Sequence, residues 1–451
     1  MGKHILGRRE FLTAASTGAA MALSSMPAYG RPNTQAGKLA ILGGDQVRKN
    51  GSWPSWPHRD QEVVDSVMKT TKSGIWCRIQ SRSGTVPTLE KKFAELIGTK
   101  FCVATGSGTQ ALHTCVEALD IGPGDEVITS PYTDPGTLAS ILCARALPVL
   151  ADLDPESFQI DPEDVERRIT ENTKAIMPVH IMGQPADMDR IMAIARKHGL
   201  KVIEDACQAH LAEYQGKKLG TIGDLGAFSF QTSKTIACGE GGAIVGNDEA
   251  LMDQCYTVHN HGTSRQGETK TIGPKYRMNE FEGAVLLGQL PGVEERFARR
   301  NENAAYLTGK FKGFPGVSPQ KLYAGTESGA YYVYGMTYRK EHFNGVSRNT
   351  FLKAMRAEGI GVRGYIGNGL HKEPWVENIL NQKVYQRMFS EKRLQEYRER
   401  NQCPRCDQVC RDMVAFWSSG ILLAEKQDMD HIADAIFKIH ENSDKLKAME
   451  A

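Results

Sequence analysis

Three short stretches carry side chains that could do chemistry together. "FSFQTSKTIACGEGG", residues 228–242, sets one lysine, Lys234, among small and apolar residues ahead of a glycine-rich turn. Burying a lysine charge is costly, and an apolar setting favours the neutral amine, the form that condenses with an aldehyde. "KVIEDACQ", residues 201–208, closes an apolar run with Glu204 and Asp205 and continues to Gln208. A carboxylate at the end of a buried strand calls for a cationic or donating partner. "GSGTQAL", residues 106–112, puts Gly106, Ser107, Gly108 and Thr109 where a helix begins. The free N–H groups and dipole of such a terminus suit a phosphate. Taken singly, each has a plainer reading: a loop lysine, a helix N-cap, a glycine turn that binds nothing. Taken together they match pyridoxal phosphate, which needs a lysine for its aldehyde, a carboxylate for its pyridine nitrogen and a cradle for its phosphate.

The elements that must position these groups follow from the pattern around them. From residue 100, short apolar runs alternate with helical periodicity. "FCVATGSG", "DEVITS", "LPVLADLD", "KAIMPVHIMG", "KVIEDA", "GAFSFQ" and "GGAIVG" read as strands. "TQALHTCVEALDIG" reads as a helix closed by Gly122, and "ADMDRIMAIARKHG" as one ending at Gly199. "DPEDVERRI" is a helix with Asp161 and Pro162 at its start. Such alternation predicts an α/β fold, a mostly parallel sheet covered by helices on both faces, with ligands at the carboxyl ends of the strands. After about residue 295 the texture changes. "GVEERFARRNENAAYLTGKF" reads as a long charged helix bridging to a smaller strand-and-helix domain. The organisation expected is a leader at 1–30, an N-terminal arm at 31–80, a large domain at 81–295, and a bridging helix with a small C-terminal domain at 296–451.

The order of the three stretches (phosphate turn, Asp, Lys) is that of fold-type I aminotransferases. The chain resembles the DegT/DnrJ/EryC1/StrS family of sugar aminotransferases through "SGTQALH", "GDEVITSPYT", "PVHIMGQPADMDRI", "VIEDACQAH", "GDLGAFSFQTSKTIACGEGGAIV", "YRMNEFEGAVLLGQL" and "LLAEKQDMDHIADAI". "SFQTSK…GEGG" and "WPSWP" are similar to the branch holding aminohydroxybenzoate synthases and glutamine–scyllo-inosose aminotransferases. The resemblance implies that Lys234 joins the cofactor aldehyde and shuttles the proton, Asp205 pairs with the pyridine nitrogen, and Gln208 contacts the ring hydroxyl. It also implies that Ser229, Gly108 and Thr109 hold the phosphate. In related dehydratases a histidine replaces the lysine, so Lys234 favours transamination over that alternative. Three positions depart from the family pattern. Asp134 stands where an aromatic residue stacks on the cofactor, with Tyr132, two residues back on the same strand face, as the expected substitute. Lys275 stands where an asparagine often reaches the neighbouring subunit's phosphate. Leu211 stands where glycine is common. His210 and Arg277 are candidate substrate contacts, and His180 is expected to be structural.

The bulk properties narrow the partners. The 451 residues carry a formal charge of +2, which favours neither nucleic acid nor an acidic membrane surface. No apolar run reaches the ~20 residues of a membrane helix. "GRREFLTAASTGAAMALSSMPAYG", residues 7–30, has the layout of a twin-arginine export signal, with Arg8 and Arg9 before a weakly apolar stretch and small residues at Ala28 to Gly30. The plainer reading is a tail with a chance arginine pair. Of ten cysteines, Cys403, Cys406 and Cys410 cluster in "CPRCDQVC", open to a disulfide, free thiols or part of a metal site. The reading as a whole is a homodimeric aminotransferase moving an amino group from glutamate or glutamine to a keto-sugar or keto-cyclitol, expected by its signal to be exported to the periplasm. Asp134 supports the alternative of a repurposed binding protein. An exported enzyme is expected to meet free keto-sugars, inososes or oxidised glycosides rather than nucleotide-linked ketones.

Overall fold

The structure is a computed structural model that describes residues 37–49 and 51–450. The twin-arginine segment lies outside the described residues. Strands are numbered β1 to β13 in chain order. β1 (Phe101–Thr105), β2 (Glu126–Thr129), β3 (Leu147–Leu150), β4 (Thr173–Met177), β5 (Lys201–Asp205), β8 (Leu225–Ser229) and β9 (Gly242–Gly246) form a seven-stranded sheet of order β1-β9-β8-β5-β4-β2-β3. β9 runs antiparallel to both neighbours, so the other six strands share one direction. Their near-continuous apolar sequences follow from burial on both faces. A ribbon joins β6 (Glu213–Tyr214), β7 (Lys217–Lys218) and β11 (Thr326–Ser328). β10 (Val317–Pro319), β12 (Val333–Tyr338) and β13 (Met413–Trp417) make a small antiparallel sheet.

The caps act largely as the sequence indicates. Asp161 accepts from the Glu163 N–H ahead of the helix Pro162–Arg168. Asp187 caps the helix Met188–His198, and Gly199 closes it in the left-handed conformation. Two expectations shift. The helix Gly108–Ala118 stops short of Gly122, because Asp120 takes the left-handed turn at φ 56° and Gly122 donates to the Asp125 carboxylate. β4 ends at Met177, since Pro178 offers no N–H to a ladder, and Ile181–Gly183 form a short 3-10 turn.

The helix Thr85–Ile97 is pinned to the large sheet by Phe93, whose ring meets Phe228 and Phe230 edge-on at 5.2 and 5.1 Å. The helix Val293–Lys310 runs on to the small sheet, where Arg300 donates to the Ser419 carbonyl and Asn303 to those of Leu422 and Ala424. The segment 375–400, placed with the small domain in the division above, packs instead on the outer edge of the large sheet. Tyr385 and Tyr397 donate to the carbonyls of Ala146 and Pro148, and Arg393 pairs with the fully buried Glu126 of β2. A charge buried in an edge-side strand needs a countercharge, and here a later helix supplies it.

Candidate active site

At the carboxyl ends of β1, β5 and β8 lies a cavity of about 330 Å³ whose lining includes Gly108, Thr109, Asp205, Gln208, Ser229 and Lys234. Residues far apart in sequence meet there because parallel strands deliver their following turns to one edge of the sheet. Asp205 is almost fully buried. Its carboxylate accepts from the Thr137 hydroxyl at 2.7 Å and from the Cys207 N–H at 3.2 Å. Because the Thr137 proton is spent on Asp205, Thr133, 2.8 Å away, is the donor to the Thr137 oxygen. Gln208 Oε1 accepts from the Met182 N–H at 2.7 Å. That bond fixes which end of the amide is oxygen and leaves its NH₂ for other acceptors.

Lys234 sits in a turn closed by its own N–H to the Gln231 carbonyl. Trp56, from "WPSWP" in the N-terminal arm, donates to the Lys234 carbonyl at 2.9 Å, and Ser419 donates to that of Ser233. Two distant segments thus hold this turn. The apolar neighbours Ile236 and Ala237 turn into the core, while Lys234 itself is half-buried at the cavity. Its ammonium nitrogen lies 4.3 Å from the ring centre of Tyr332. The Ser233 hydroxyl proton goes to Gln231 Oε1, so the Tyr332 hydroxyl donates to Ser233 at 2.7 Å and fixes that ring.

The start of the helix Gly108–Ala118 forms one wall. Ser107 caps it through the Gln110 N–H, leaving the N–H groups of Gly108 and Thr109 without an intrahelical acceptor. A Cβ at Gly108 would stand 2.7 Å from Ser229 Cβ and 2.8 Å from Cys207 Sγ. Only glycine allows the helix start to approach the sheet this closely.

The family model for the DegT/DnrJ/EryC1/StrS aminotransferase family matches residues 57–412. The chain belongs to this family. It is 34% identical over 431 residues to the L-glutamine:2-deoxy-scyllo-inosose aminotransferase of Streptoalloteichus tenebrarius, a match covering 91% of this chain and 99% of that protein. Among solved structures it is similar to 3-amino-5-hydroxybenzoic acid synthase, with a TM-score of 0.73 and 27% identity over 86% of this chain and all of the other. It is also similar to the aminotransferase from Psychrobacter cryohalolentis, with a TM-score of 0.76 and 28% identity over 87% of this chain and 99% of that one.

The family is pyridoxal-phosphate dependent, and the cavity fits that cofactor. It offers two free helix-start N–H groups and Ser229 for the phosphate, a buried carboxylate at Asp205 for the pyridine nitrogen, and the Lys234 amine for the aldehyde. The residues that sequence reasoning placed at the site divide accordingly. Gly108, Thr109, Asp205, Gln208, Ser229 and Lys234 line this cavity. Tyr132 does not: it is fully buried with Leu138 and Phe158, its ring 6.2 Å from Tyr365. Strand alternation does not govern it because β2 ends at Thr129 and the chain is already turning. Asp134 instead caps the helix Pro135–Cys143 through the Gly136 N–H.

His210 also lies outside the cavity lining. It stacks on Phe230 at 5.6 Å, with Nδ1 3.1 Å from the Thr235 hydroxyl. Burial, with the nearby positive charges of Lys234 and Arg300, lowers its pKa to about 3. Arg277 is held by Asn260 Oδ1 at 2.7 Å, and Lys275 is exposed; neither lines the cavity of its own chain. Leu211, where the family often has glycine, adopts φ 65° while buried, a conformation costing a non-glycine residue roughly 1–2 kcal/mol. His180 is structural: Nδ1 accepts from the Ala186 N–H, so Nε2–H donates to Glu204 at 2.9 Å. Among the described residues all ten cysteines are free thiols, and no cluster of three or more ligating side chains is arranged for a metal.

Sequence reasoning missed Thr137 and Tyr332. The first stands three residues past Asp134 in a helix start, a place where hydroxyls are common for capping alone. The second comes from the segment leading into β12, and nothing in its local spacing marks it.

Proposed function

We propose that this chain transfers an amino group from glutamate or glutamine to a keto-sugar or keto-cyclitol, with Lys234 as the catalytic residue. The observation that carries the reading is that Lys234, Thr133, Asp134 and Tyr332 line both the cofactor-sized cavity and a second, adjoining cavity. One amine therefore faces the cofactor site and the space where a donor and an acceptor take turns. The similarity to a glutamine-dependent inosose aminotransferase supports this choice of substrates.

Bound pyridoxal phosphate supplies an electron sink that makes the donor's α-proton removable. The chain's residues do the rest. Asp205, its position set by the Thr137 and Cys207 bonds, presents a carboxylate that holds a proton on the pyridine nitrogen. Gly108, Thr109 and Ser229 anchor the phosphate, and Gln208 orients the ring through its hydroxyl. Lys234 Nζ would take the proton from the donor's α-carbon and hand it to the cofactor carbon that carried the aldehyde, on the far side of the shared nitrogen, and would reverse the transfer for the acceptor. Tyr332 beside Nζ limits the swing of that amine and screens it from water on one side.

The reading includes a homodimer. Val64 and Met68, one turn apart on the helix Gln61–Ser73, are 50% and 47% exposed, and Trp76 and Ile79 are exposed nearby in sequence. Such a patch suits a protein–protein contact, and the exposed Lys275 is free to approach a partner's phosphate as a point charge. Export by the twin-arginine route is part of the same proposal, supported by Arg8 and Arg9 ahead of the weakly apolar stretch.

The test is the visible spectrum of the purified protein beside Lys234→Ala. The wild type should show a cofactor band that borohydride bleaches and that glutamine or glutamate converts to the amine form. A wild-type band untouched by borohydride or by either donor would refute the assignment.

A further inference from the structure

The second cavity is about 760 Å³, more than twice the 330 Å³ of the cofactor cavity. Space that suits a pyridine ring with its phosphate is thus doubled beyond Lys234, more than one six-membered polyol ring can fill. Its walls are aromatic. Trp417 meets Tyr332 at 4.9 Å and Tyr365 at 5.4 Å, both edge-on, so these three rings form one continuous surface. Trp375 stands in the lining too, its indole fixed by a 2.7 Å bond to the Leu370 carbonyl. Leu138 and Leu142 extend the apolar lining.

The charges of the lining are few and mostly negative. Asp134 and Glu373 contribute carboxylates, and Lys234 is the sole cation among the lining residues. Arg363 lies over the Trp417 ring at 4.6 Å and is not part of the lining. A diphosphate placed here would meet, from this chain, two carboxylates against the single Lys234 amine and no arginine fork. A sugar does the opposite: its C–H faces stack on aromatic rings, while the carboxylates accept from its hydroxyls.

We infer that the acceptor is an uncharged keto-glycoside, its ketone ring at Lys234 and a second ring, sugar or aglycone, against Trp375 and Trp417. This rests on the aminotransferase reading above and narrows its substrate class to two-ring acceptors that carry no phosphate. The glycosidic substituent would contribute affinity through aromatic contact, and a nucleotide-linked ketone would be excluded by charge.

The experiment uses holoenzyme converted by glutamine to its amine form, in four titrations followed by tryptophan fluorescence and by return of the visible band. The probes are phenyl 3-keto-β-glucopyranoside, methyl 3-keto-β-glucopyranoside, scyllo-inosose and a dTDP-linked 4-keto-sugar. The phenyl glycoside should bind about tenfold more tightly than the methyl glycoside, the gain expected of one buried ring on an indole. The nucleotide-linked ketone should bind worst. Trp375→Ala should reduce the phenyl-to-methyl ratio to within about threefold, and Trp375→Phe should restore part of it. Equal affinity for the two glycosides, or tightest binding of the nucleotide-linked ketone, would overturn the inference even if the variants failed to fold, because both are read on the wild type. Failure of both glutamine and glutamate to convert the cofactor band at the outset would instead count against the aminotransferase reading itself.

Discussion

Replacing Gly108 with alanine asks whether the helix start at residue 108 is the phosphate cradle. The new methyl would lie 2.7 Å from Ser229 Cβ and 2.8 Å from Cys207 Sγ, whereas non-bonded carbon atoms rest at about 3.5–4.0 Å. Each overlap is roughly 1 Å, and neither neighbour yields easily. Ser229 ends the buried strand β8, and Cys207 lies two residues past the end of β5. The helix must therefore move outward, at an overpacking cost of about 1–3 kcal/mol. That motion draws the Gly108 and Thr109 N–H groups away from a bound phosphate. Charge-assisted bonds of this kind contribute about 1.5–3 kcal/mol each, so cofactor affinity should fall by about tenfold to a hundredfold. The control is Gly309→Ala, in the helix Val293–Lys310, where a Cβ meets no atom within 4 Å. It should leave affinity unchanged and stabilise by about 0.5–1 kcal/mol through the helix-interior preference for alanine. Absorbance titration of the cofactor-free proteins with pyridoxal phosphate, alongside their melting temperatures, reads both quantities. Wild-type affinity in Gly108→Ala, in a folded protein, would refute the cradle.

Three further outcomes follow from the same geometry. Thr137→Val keeps the shape of the side chain but removes the donor to Asp205; about 1–3 kcal/mol of support for that carboxylate should go, seen as weaker cofactor binding in the same titration, and unchanged binding would show that Thr137 does not matter. Arg393→Ala leaves Glu126, which is 0% exposed, with only the Thr170 hydroxyl from a side chain. Denaturation should register a loss of about 3–5 kcal/mol, much of it recovered when Glu126→Gln is added; a loss under about 1 kcal/mol would mean water reaches that carboxylate. Burial lowers His210 and His259 to a pKa of about 3 in the fold, aided at His210 by Lys234 and Arg300 and at His259 by Arg78. Because the folded value is depressed, the stability is fully present above about pH 6.5, the unfolded value, and is lost as pH falls toward 3. Each histidine should cost about 1.4 kcal/mol by pH 5.5, and His210→Phe should flatten the denaturation profile by that amount. A full wild-type slope in that variant would place the acid sensitivity elsewhere.

What the sequence by itself determined were the groups whose position is set locally. Asp205 ends a strand, Lys234 lies in the turn after one, and Gly108 and Thr109 open a helix. Alternation of strand and helix makes the sheet parallel, and a parallel sheet gathers such turns at one edge. The helix start at Asp161 and the helix stop at Gly199 were legible for the same reason: a cap leaves its mark within one turn. The tertiary structure alone decided which side chains face one another across long stretches of chain. Tyr132 stands near the cofactor turn in sequence yet points into the core, because β2 has ended and strand alternation no longer applies. Tyr332 stands in the lead-in to a different sheet yet reaches Lys234, because the helix Val293–Lys310 and the bonds of Trp56 and Ser419 dock the two sheets there. His210 reads as a substrate contact beside "EDACQ", but the fold buries it against Phe230, outside the cavity lining. The segment 375–400 joins the large sheet rather than the small one, where Leu380, Tyr385 and Tyr397 enter its core and Arg393 meets Glu126. The aromatic wall of Tyr332, Trp417 and Tyr365 is assembled from three separate segments. Local propensity records φ, ψ and burial, whereas a wall of this kind exists only once distant elements have packed.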